Sequence, residues 1–177
     1  MSLITAVKNY RLKEVEKFLK SGHHVDGPDD RDRTPLYWAA RKGYLKIAKL
    51  LLSFGADCNR ADKYDGFTPL IVAIWNPWTI ANAGQSLILK MVKLLTSFKA
   101  DINKRDTFGE SPFHYAARQG YLDAVQILLS LGADFDKPNK YGDTPLFIAE
   151  KKGHSKIVTC LKYHMDKLNR LAELFNS

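Results

Sequence analysis

Apolar residues recur along the chain in steps of three and four, with polar residues between them. The pattern is clearest in two stretches, at Leu45, Ala48, Leu51 and Leu52 and at Leu122, Val125, Leu128 and Leu129. This spacing places the apolar side chains on one face of an α-helix. Because a short helix cannot bury such a face alone, the pattern predicts several helices that stack on one another.

A recurring motif precedes these stretches. It begins with Thr or Ser followed by Pro, and it occupies residues 34–40, 68–74, 111–117 and 144–149. The hydroxyl side chain can accept a backbone N–H at the start of a helix, and Pro supplies the φ angle of the first helical position. The motif therefore predicts a first helix in each unit, and three of these helices are predicted to end at Gly43, Gly120 and Gly153.

The starts of the motif are separated by 34, 43 and 33 residues. A second marker, the dipeptide Ala-Asp, closes the first three units at 56–57, 100–101 and 133–134. Together the two markers give a period of about 33 residues, with ten residues inserted in the second unit. A period of this size indicates units that share one continuous core, so a solenoid is expected.

The motif resembles the TPLH-x-A pattern of the ankyrin-repeat family, which recurs with a period of about 33 residues. The resemblance covers residues 29–162 and implies an all-α solenoid of helix-turn-helix units joined by β-hairpin-like loops. Residues 1–28 are interpreted as a degenerate N-terminal unit. A single domain over 1–177 is expected, with units at 1–28, 29–61, 62–105, 106–138 and 139–164 and a capping helix at 165–177.

Three positions bear on how closely the chain follows the family's pattern. Asp32 stands where the hairpin tip usually has glycine, and Lys99 stands where a helix-ending glycine belongs. If both keep a left-handed φ angle, each costs roughly 1 kcal/mol of stability. The histidine of the motif occurs only as His114, so its hydrogen bond is expected in the third unit alone.

The insertion in the second unit, at residues 75–86, is the sharpest local irregularity. Pro77 is expected to end the first helix, after which a loop is predicted to project between the two helices. Trp75, Trp78 and Ile80 form an apolar cluster in this segment. Two interpretations stay open: the loop anchors a partner, or it folds back over the groove between the second and third units.

The C-terminal segment carries its own helical stripe, at Leu168, Leu171, Leu174 and Phe175. Solenoids need terminal caps, because the last unit otherwise exposes its apolar side. Residues 165–177 are therefore predicted to form a helix docked on the last unit. The alternative is a free helix that binds a partner.

Composition and charge limit the function classes. With 45% apolar and 26% charged residues, the composition is that of a soluble globular domain. The net charge of +8 raises an alternative function, a basic-surface binder of nucleic acid or anionic lipid. The surplus is spread along the chain and much of it flanks the apolar stripes, so nucleic acid is not the expected partner.

Two further patterns concern location and chemistry. The sequence shows no signal peptide and no transmembrane stretch, and its two cysteines favour a reducing compartment, so a cytoplasmic or nuclear location is expected. It contains no phosphate-binding or dinucleotide-binding glycine motif and no zinc-protease motif. Cys58 and Cys160 lack metal-ligand spacing, and no basic cluster is placed to lower their pKa. We expect no enzyme activity, no cofactor and no metal site.

The resemblance implies a partner site on the concave face, which is built from hairpin tips and first-helix ends. Carried over unit by unit, the expected contact residues are Arg31, Arg33, Arg41, Lys42, Tyr64, Phe67, Trp75, Trp78, Phe108, Arg118, Tyr141, Lys151 and Lys152. Asp65 and Glu110 occupy neighbouring positions of the same face. Aromatic and Arg side chains are typical of binding hot spots, and basic residues among them suit a partner with an acidic or aromatic-accepting surface. Phe67 and Phe108 alternatively pack between adjacent hairpins.

The function expected from these observations is a monomeric, non-catalytic module that binds a protein through the concave face and the segment 75–86. An adaptor, or a bacterial effector that recruits a host protein, is a compatible alternative. The resemblance also implies that Asn59 and Asn103 occupy positions that asparaginyl hydroxylases modify in some ankyrin proteins. The ordinary role of these asparagines is hydrogen bonding within a turn.

Overall fold

The structure is a computed structural model that describes the backbone of residues 2–75 and 77–175 and the side chains of residues 2–75 and 85–175. Over these residues the chain forms ten α-helices and no strand. The helices are α1 Leu3–Lys8, α2 Leu12–Lys20, α3 Pro35–Lys42, α4 Leu45–Ser53, α5 Pro69–Trp75, α6 Pro77–Ser97, α7 Pro112–Gln119, α8 Leu122–Ser130, α9 Pro145–Lys151 and α10 Ser155–Phe175.

The helices pair along the chain and stack in two layers. Each odd-numbered helix packs on the next odd-numbered helix, and the even-numbered helices form a second layer in the same order. The core between the layers is continuous from Leu3 to Leu161. Small side chains allow the close approach within the first layer, since Ala39 and Ala116 are fully buried. The predicted all-α solenoid is confirmed.

The first helices begin as the motif predicts. Thr34 Oγ1 accepts the N–H of Tyr37 at 3.0 Å, and Thr144 Oγ1 accepts that of Phe147 at 3.2 Å. These bonds satisfy N–H groups that the first turn of a helix leaves without a partner. Gly43 ends α3 with a φ of 70°, a left-handed conformation that costs glycine nothing.

The hairpin-like loops share one internal arrangement. An Asp or Asn side chain at the base of each loop accepts backbone N–H groups from the loop tip. In each loop the acceptor is the Oδ1 atom. Asp29 accepts from Arg31 and Arg33, Asp62 from Phe67, Asp106 from Phe108 and Glu110, and Asn139 from Tyr141 and Asp143. These bonds fix the shape of each loop before any partner binds.

Backbone hydrogen bonds also join successive hairpins. Lys63 N donates to Arg31 O at 3.0 Å, Thr107 N to Asp65 O at 2.9 Å, and Lys140 N to Phe108 O at 3.0 Å. The hairpins approach so closely that a Cβ added to Gly109 would lie 3.1 Å from the backbone nitrogen of Lys140. The tips therefore form one continuous surface.

The two non-glycine residues at glycine positions keep the left-handed geometry. Asp32 has a φ of 58° and Lys99 a φ of 63°. Asp32 occupies the tip position of the first hairpin that Gly109 and Gly142 occupy in later hairpins. Tyr10, after α1, also has a left-handed φ of 55°, so backbone strain lies at three places: after α1, in the first hairpin and after α6.

The insertion in the second unit differs from the predicted loop. The helix α5 ends at Trp75, before Pro77 as expected, but α6 begins at Pro77 itself and continues for 21 residues to Ser97. The physical reason is that Pro is favourable at the first helical position, and adding residues to an existing helix is easier than starting a new one. The side chains of Trp78 and Ile80 lie outside the described residues, so the two interpretations of this segment stay open.

The C-terminal segment also differs from the prediction. Instead of a separate capping helix at 165–177, α10 runs without interruption from Ser155 to Phe175. Leu168, Leu171 and Leu174 are 44%, 41% and 72% exposed, so the apolar stripe is not docked on the last unit. No Gly or Pro lies between 155 and 175 to end the helix and turn the chain back.

Candidate partner-binding surface

The predicted contact residues centre on the hairpin face, which we define as the surface formed by the hairpin tips and the starts and ends of α3, α5, α7 and α9. Two regions of this face differ in chemistry. The central aromatic groove has a volume of about 520 Å³ and is lined by Asp65, Phe67, Trp75, Phe108, Glu110, Tyr115, Arg118 and Tyr141. The N-terminal basic region comprises Lys8, Arg31, Arg33, Arg41 and Lys63 around the rings of Trp38 and Tyr64.

Aromatic packing forms the floor of the central aromatic groove. The ring centroid of Phe67 lies 5.7 Å from that of Tyr115 and 5.3 Å from that of Trp75. Phe67 and Tyr115 are buried, whereas Phe108 and Tyr141 at the hairpin tips are 40% and 71% exposed. The groove therefore combines a fixed floor with accessible aromatic walls.

A polar network holds the same groove from beneath. Glu110 forms a bidentate ion pair with Arg118 and accepts a hydrogen bond from Asn139 Nδ2 at 2.8 Å. Burial raises the pKa of Glu110, but the hydrogen bonds from Arg118 and Asn139 outweigh it and the pKa lies below its ordinary value. The charges of Arg118 and Glu110 therefore neutralise each other.

Tyr115 is fixed by the carboxylate at the base of its hairpin. Its hydroxyl donates to Asp106 Oδ2 at 2.6 Å. Burial, and then this bond, raise the pKa of Tyr115 above its ordinary value, so the phenol stays neutral and its ring stays in place. The guanidinium carbon of Arg118 lies 5.5 Å from the centroid of that ring.

Asp65 differs from the other carboxylates of the groove. Its backbone N–H donates to Asp62 and its carbonyl accepts from Thr107. Its side chain is exposed and makes no hydrogen bond or ion pair with residues 2–75 or 85–175. The groove therefore presents one unneutralised negative charge.

The N-terminal basic region is built around Trp38. Its ring centroid lies 4.0 Å from Lys8 Nζ, and 4.5 and 5.3 Å from the guanidinium carbons of Arg33 and Arg41. The indole N–H donates to Asp29 Oδ2 at 3.1 Å, and Arg33 pairs with the same carboxylate at 2.9 Å. One carboxylate thus faces several cations, which leaves the region positive.

Asp29 is strongly stabilised in its charged form. Burial raises its pKa, but hydrogen bonds from Arg33, the backbone of Arg31 and the Trp38 indole outweigh it and lower the pKa to about 2.

Farther along the face, the Tyr64 ring is 59% exposed and lies 5.6 Å from the guanidinium carbon of Arg31.

Not every predicted contact residue joins these two regions. Lys42 is the last residue of α3 and lines a separate depression with Tyr10 and Leu87. Lys151 and Lys152 are exposed at the end of α9, and Lys151 Nζ lies 5.9 Å from the Phe147 ring centroid. The side chain of Trp78 lies outside the described residues. Phe67 is buried against Trp75 and Tyr115, whereas Phe108 is exposed.

Sequence reasoning missed two aromatic residues and the loop-base side chains. Trp38 and Tyr115 occupy the same motif position, four residues after the opening Thr or Ser, where the other units have Val72 and Ile148. An aromatic residue at this variable position was the signal available. The loop-base residues also recur near the repeat period, at Asp29, Asp62, Asp106 and Asn139.

Asn59 and Asn103 link successive units. Asn59 Oδ1 accepts the N–H of Asp101 at 2.7 Å, and Asn103 Oδ1 accepts that of Asp134 at 2.9 Å. Both side chains therefore accept hydrogen bonds from the next unit, whereas the sequence predicts bonding within their own turn. Modification of either residue stays a prediction.

Cys58 and His114 are buried and Cys160 is partly buried, and burial shifts the pKa of each. Burial raises the pKa of the Cys58 and Cys160 thiols, which disfavours the nucleophilic thiolate. Burial lowers the pKa of His114 to about 4, so its imidazole is neutral at pH 7. Within the described part of the chain, no three His, Cys, Asp or Glu side chains are grouped to hold a metal ion. Nor is any helix there long and apolar enough to cross a membrane.

Comparison with known proteins gives a family match over most of the chain. A family model described as ankyrin repeats in three copies matches residues 3–90 and 79–170. Mouse protein phosphatase 1 regulatory subunit 12A is 43% identical over 63 residues, which are 35% of this chain and 6% of that protein. Human ankyrin repeat domain-containing protein 13B is 38% identical over 65 residues, 36% of this chain and 10% of that protein.

A third relative is named as a ribonuclease. Mouse 2-5A-dependent ribonuclease is 40% identical over 73 residues, 41% of this chain and 10% of that protein. The alignments thus cover no more than 10% of the length of any of these three relatives.

Proposed function

Because the chain belongs to the ankyrin-repeat family, we propose that it is a non-catalytic module that binds a protein partner across the hairpin face. One observation carries the proposal. Arg31, Tyr64, Phe108 and Tyr141 stand at the same position of four successive hairpins, two residues after the loop-base side chain, and all four are exposed. A regular row of exposed aromatic and Arg side chains supports binding, because these residue types dominate interface hot spots.

The mechanism of binding is presentation of a preorganised surface. The tips are held by loop-base hydrogen bonds and by backbone bonds between successive hairpins. A surface ordered before association loses less conformational entropy when the partner binds. The row of tips therefore needs little rearrangement to form contacts.

The partner's chemistry follows from the charge of the N-terminal basic region. Acidic side chains of a partner would meet Arg31, Arg41 and Lys63 there, and the aromatic tips would contact its apolar side chains. An adaptor or scaffold role, including that of an effector recruiting a host protein, is compatible with this surface. The phosphatase regulatory subunit is similar over one short segment, which supports a binding module and not a role with a phosphatase.

Location and assembly are part of the same proposal. Cys58 and Cys160 are both free thiols, which suits a reducing compartment such as the cytoplasm or nucleus. We propose a monomer, with the hairpin face left open for another protein.

A matched pair of variants tests the proposal. Tyr141 and Tyr163 are 71% and 72% exposed, but Tyr141 lies on the hairpin face and Tyr163 on α10. Quantitative affinity capture followed by mass spectrometry should show partners lost with Tyr141→Ala and retained with Tyr163→Ala. Equal partner sets for both variants and the wild type would reject the hairpin face as the binding site.

The anchor role of Trp75 and Trp78 has its own test. Trp75→Ala combined with Trp78→Ala should deplete the same partners in affinity capture if the segment 75–86 contacts them. Identical partner lists for this variant and the wild type would leave only the packing role, which for Trp75 is its contact with Phe67.

The alternative function is binding of nucleic acid or anionic lipid by the N-terminal basic region. The net charge of +8 and the cluster of cations around Trp38 favour it. Salt distinguishes this function, because a binder of phosphate backbones loses affinity steeply between about 50 and 200 mM salt. If the chain binds duplex RNA and phosphatidylserine vesicles only weakly at low salt, this alternative function is eliminated.

A further inference from the structure

The central aromatic groove carries negative charge in a chain whose net charge is +8. Its lining contains two carboxylates, Asp65 and Glu110, and one guanidinium, Arg118. Glu110 and Arg118 neutralise each other through a bidentate pair. The Asp65 carboxylate is left over, and it has no hydrogen bond or ion pair within the described residues.

Aromatic residues make up most of the lining of this groove. Phe67, Trp75, Phe108, Tyr115 and Tyr141 all line it. An aromatic face carries partial negative charge and attracts ammonium and guanidinium groups within about 6 Å of the ring centroid. The groove already shows this contact once, between Arg118 and the Tyr115 ring at 5.5 Å. The more exposed walls, Phe108 and Tyr141, have no cation over them among the described residues.

We propose that the central aromatic groove receives a basic side chain of the partner, an arginine or lysine whose cation lies against the aromatic walls and pairs with Asp65. This inference rests on the proposed function, because it assumes that a protein segment lies along the hairpin face. Charge complementarity selects the occupant: an acidic side chain would meet the unpaired Asp65, and a purely apolar one would leave that carboxylate without a partner.

The two regions of the face then set the direction of the bound segment. The N-terminal basic region repels the same basic side chain, because Lys8, Arg33 and Arg41 already surround Trp38 there. A segment with acidic residues at that end and a basic residue over the groove fits both regions at once. The reversed orientation places like charges together at both ends.

The first experiment is a selection of random displayed peptides against the wild type, Asp65→Lys and Asp136→Lys. Asp136 is exposed outside the groove, so its variant controls for the change in net charge. Peptides are assigned to the hairpin face when they fail to bind a Phe108→Ala, Tyr141→Ala double variant. We expect an enriched Arg or Lys at one peptide position with the wild type and Asp136→Lys, and its loss with Asp65→Lys.

The possible outcomes distinguish failure of the cation site from failure of the proposed binding function. Hairpin-face peptides without a basic preference, or with the same preference on Asp65→Lys, would overturn the cation site and leave the binding module intact. If no selected peptide depends on Phe108 and Tyr141, the proposed function fails and the inference fails with it.

A second measurement uses one selected peptide and a copy with citrulline or norleucine in place of its basic residue. By titration calorimetry, the neutral copy should bind the wild type about tenfold more weakly than the charged peptide. On Asp65→Asn the loss should be several-fold smaller, because only the contact of the cation with the aromatic walls remains. Equal losses on both chains would overturn the pairing with Asp65. The Asp65→Asn variant keeps the backbone bonds of its hairpin, so thermal unfolding should match that of the wild type.

Discussion

The N-terminal basic region and the central aromatic groove use the same hairpin framework for opposite charges. In the first, Asp29 is surrounded by Lys8, Arg33 and Trp38, and the cations exceed the carboxylate. In the second, Glu110 neutralises the charge of Arg118, and Asp65 has no hydrogen bond or ion pair with the residues that the structure describes. The difference shows that a repeated backbone fixes where side chains stand, while pairing between them decides the sign of each surface.

The largest expected effect comes from breaking the pair beneath the groove. Glu110→Ala leaves Arg118 and Asn139 without their shared acceptor, and we expect the free energy of unfolding to fall by about 3 kcal/mol. Urea denaturation measures the loss, and Glu173→Ala at an exposed site of α10 is the control. A loss below about 0.5 kcal/mol, the range of ordinary surface changes, would contradict the structural role of the pair.

The contribution of the N-terminal basic region to stability should depend on pH. The pKa of Asp29 is about 2 in the folded chain and 3.8 ordinarily, so its charge favours the folded state above pH 4. This contribution is lost as pH falls through the folded pKa. Stability of the wild type should therefore drop more between pH 4 and 2 than that of Asp29→Asn.

Glu110 also has a lowered pKa, and it is present in both the wild type and Asp29→Asn. Only the difference between their two curves of stability against pH therefore reports on Asp29. Chemical denaturation at several pH values gives both curves. Parallel curves would show that Asp29 is not stabilised by its neighbours.

Salt should separate the two regions in partner binding. Arg31→Ala with Lys63→Ala is expected to weaken binding about fivefold at low salt and to flatten its salt dependence. Phe108→Ala is expected to weaken binding with little change in the salt slope, because the lost contact is apolar. Affinity measured from low to physiological salt tests this, and identical slopes for both variants would contradict the division.

The smallest expected effect concerns the first hairpin tip. Asp32 holds a φ of 58° where the third hairpin has Gly109. Asp32→Gly should raise the free energy of unfolding by about 0.5–1 kcal/mol, since glycine adopts this φ without strain. Thermal unfolding measures the gain, with Asp30→Gly in the same loop as the control. A destabilised Asp32→Gly would show that the Asp32 contact with Arg60 outweighs the strain.

Much of the framework could be predicted, because its signals are local. Thr34 and Gly43 start and end a helix through bonds and backbone angles within a few residues. The segment 75–86 could not be assigned in the same way. Pro77 both ends one helix and is favourable as the start of the next, and only the structure shows that it does both.

The sequence by itself determined the repeat period, the stacked helix pairs and the family, and it predicts the face on which we propose that a partner binds. Only the tertiary structure decided the charge of each part of that face. Arg118 and Glu110 are both visible in the sequence, but their pairing forms only when the third unit folds, and the contact of Asn139 with Glu110 forms only when the fourth unit packs on it. Charge at a surface depends on which side chains lie within a few ångströms, and that proximity is set by folding.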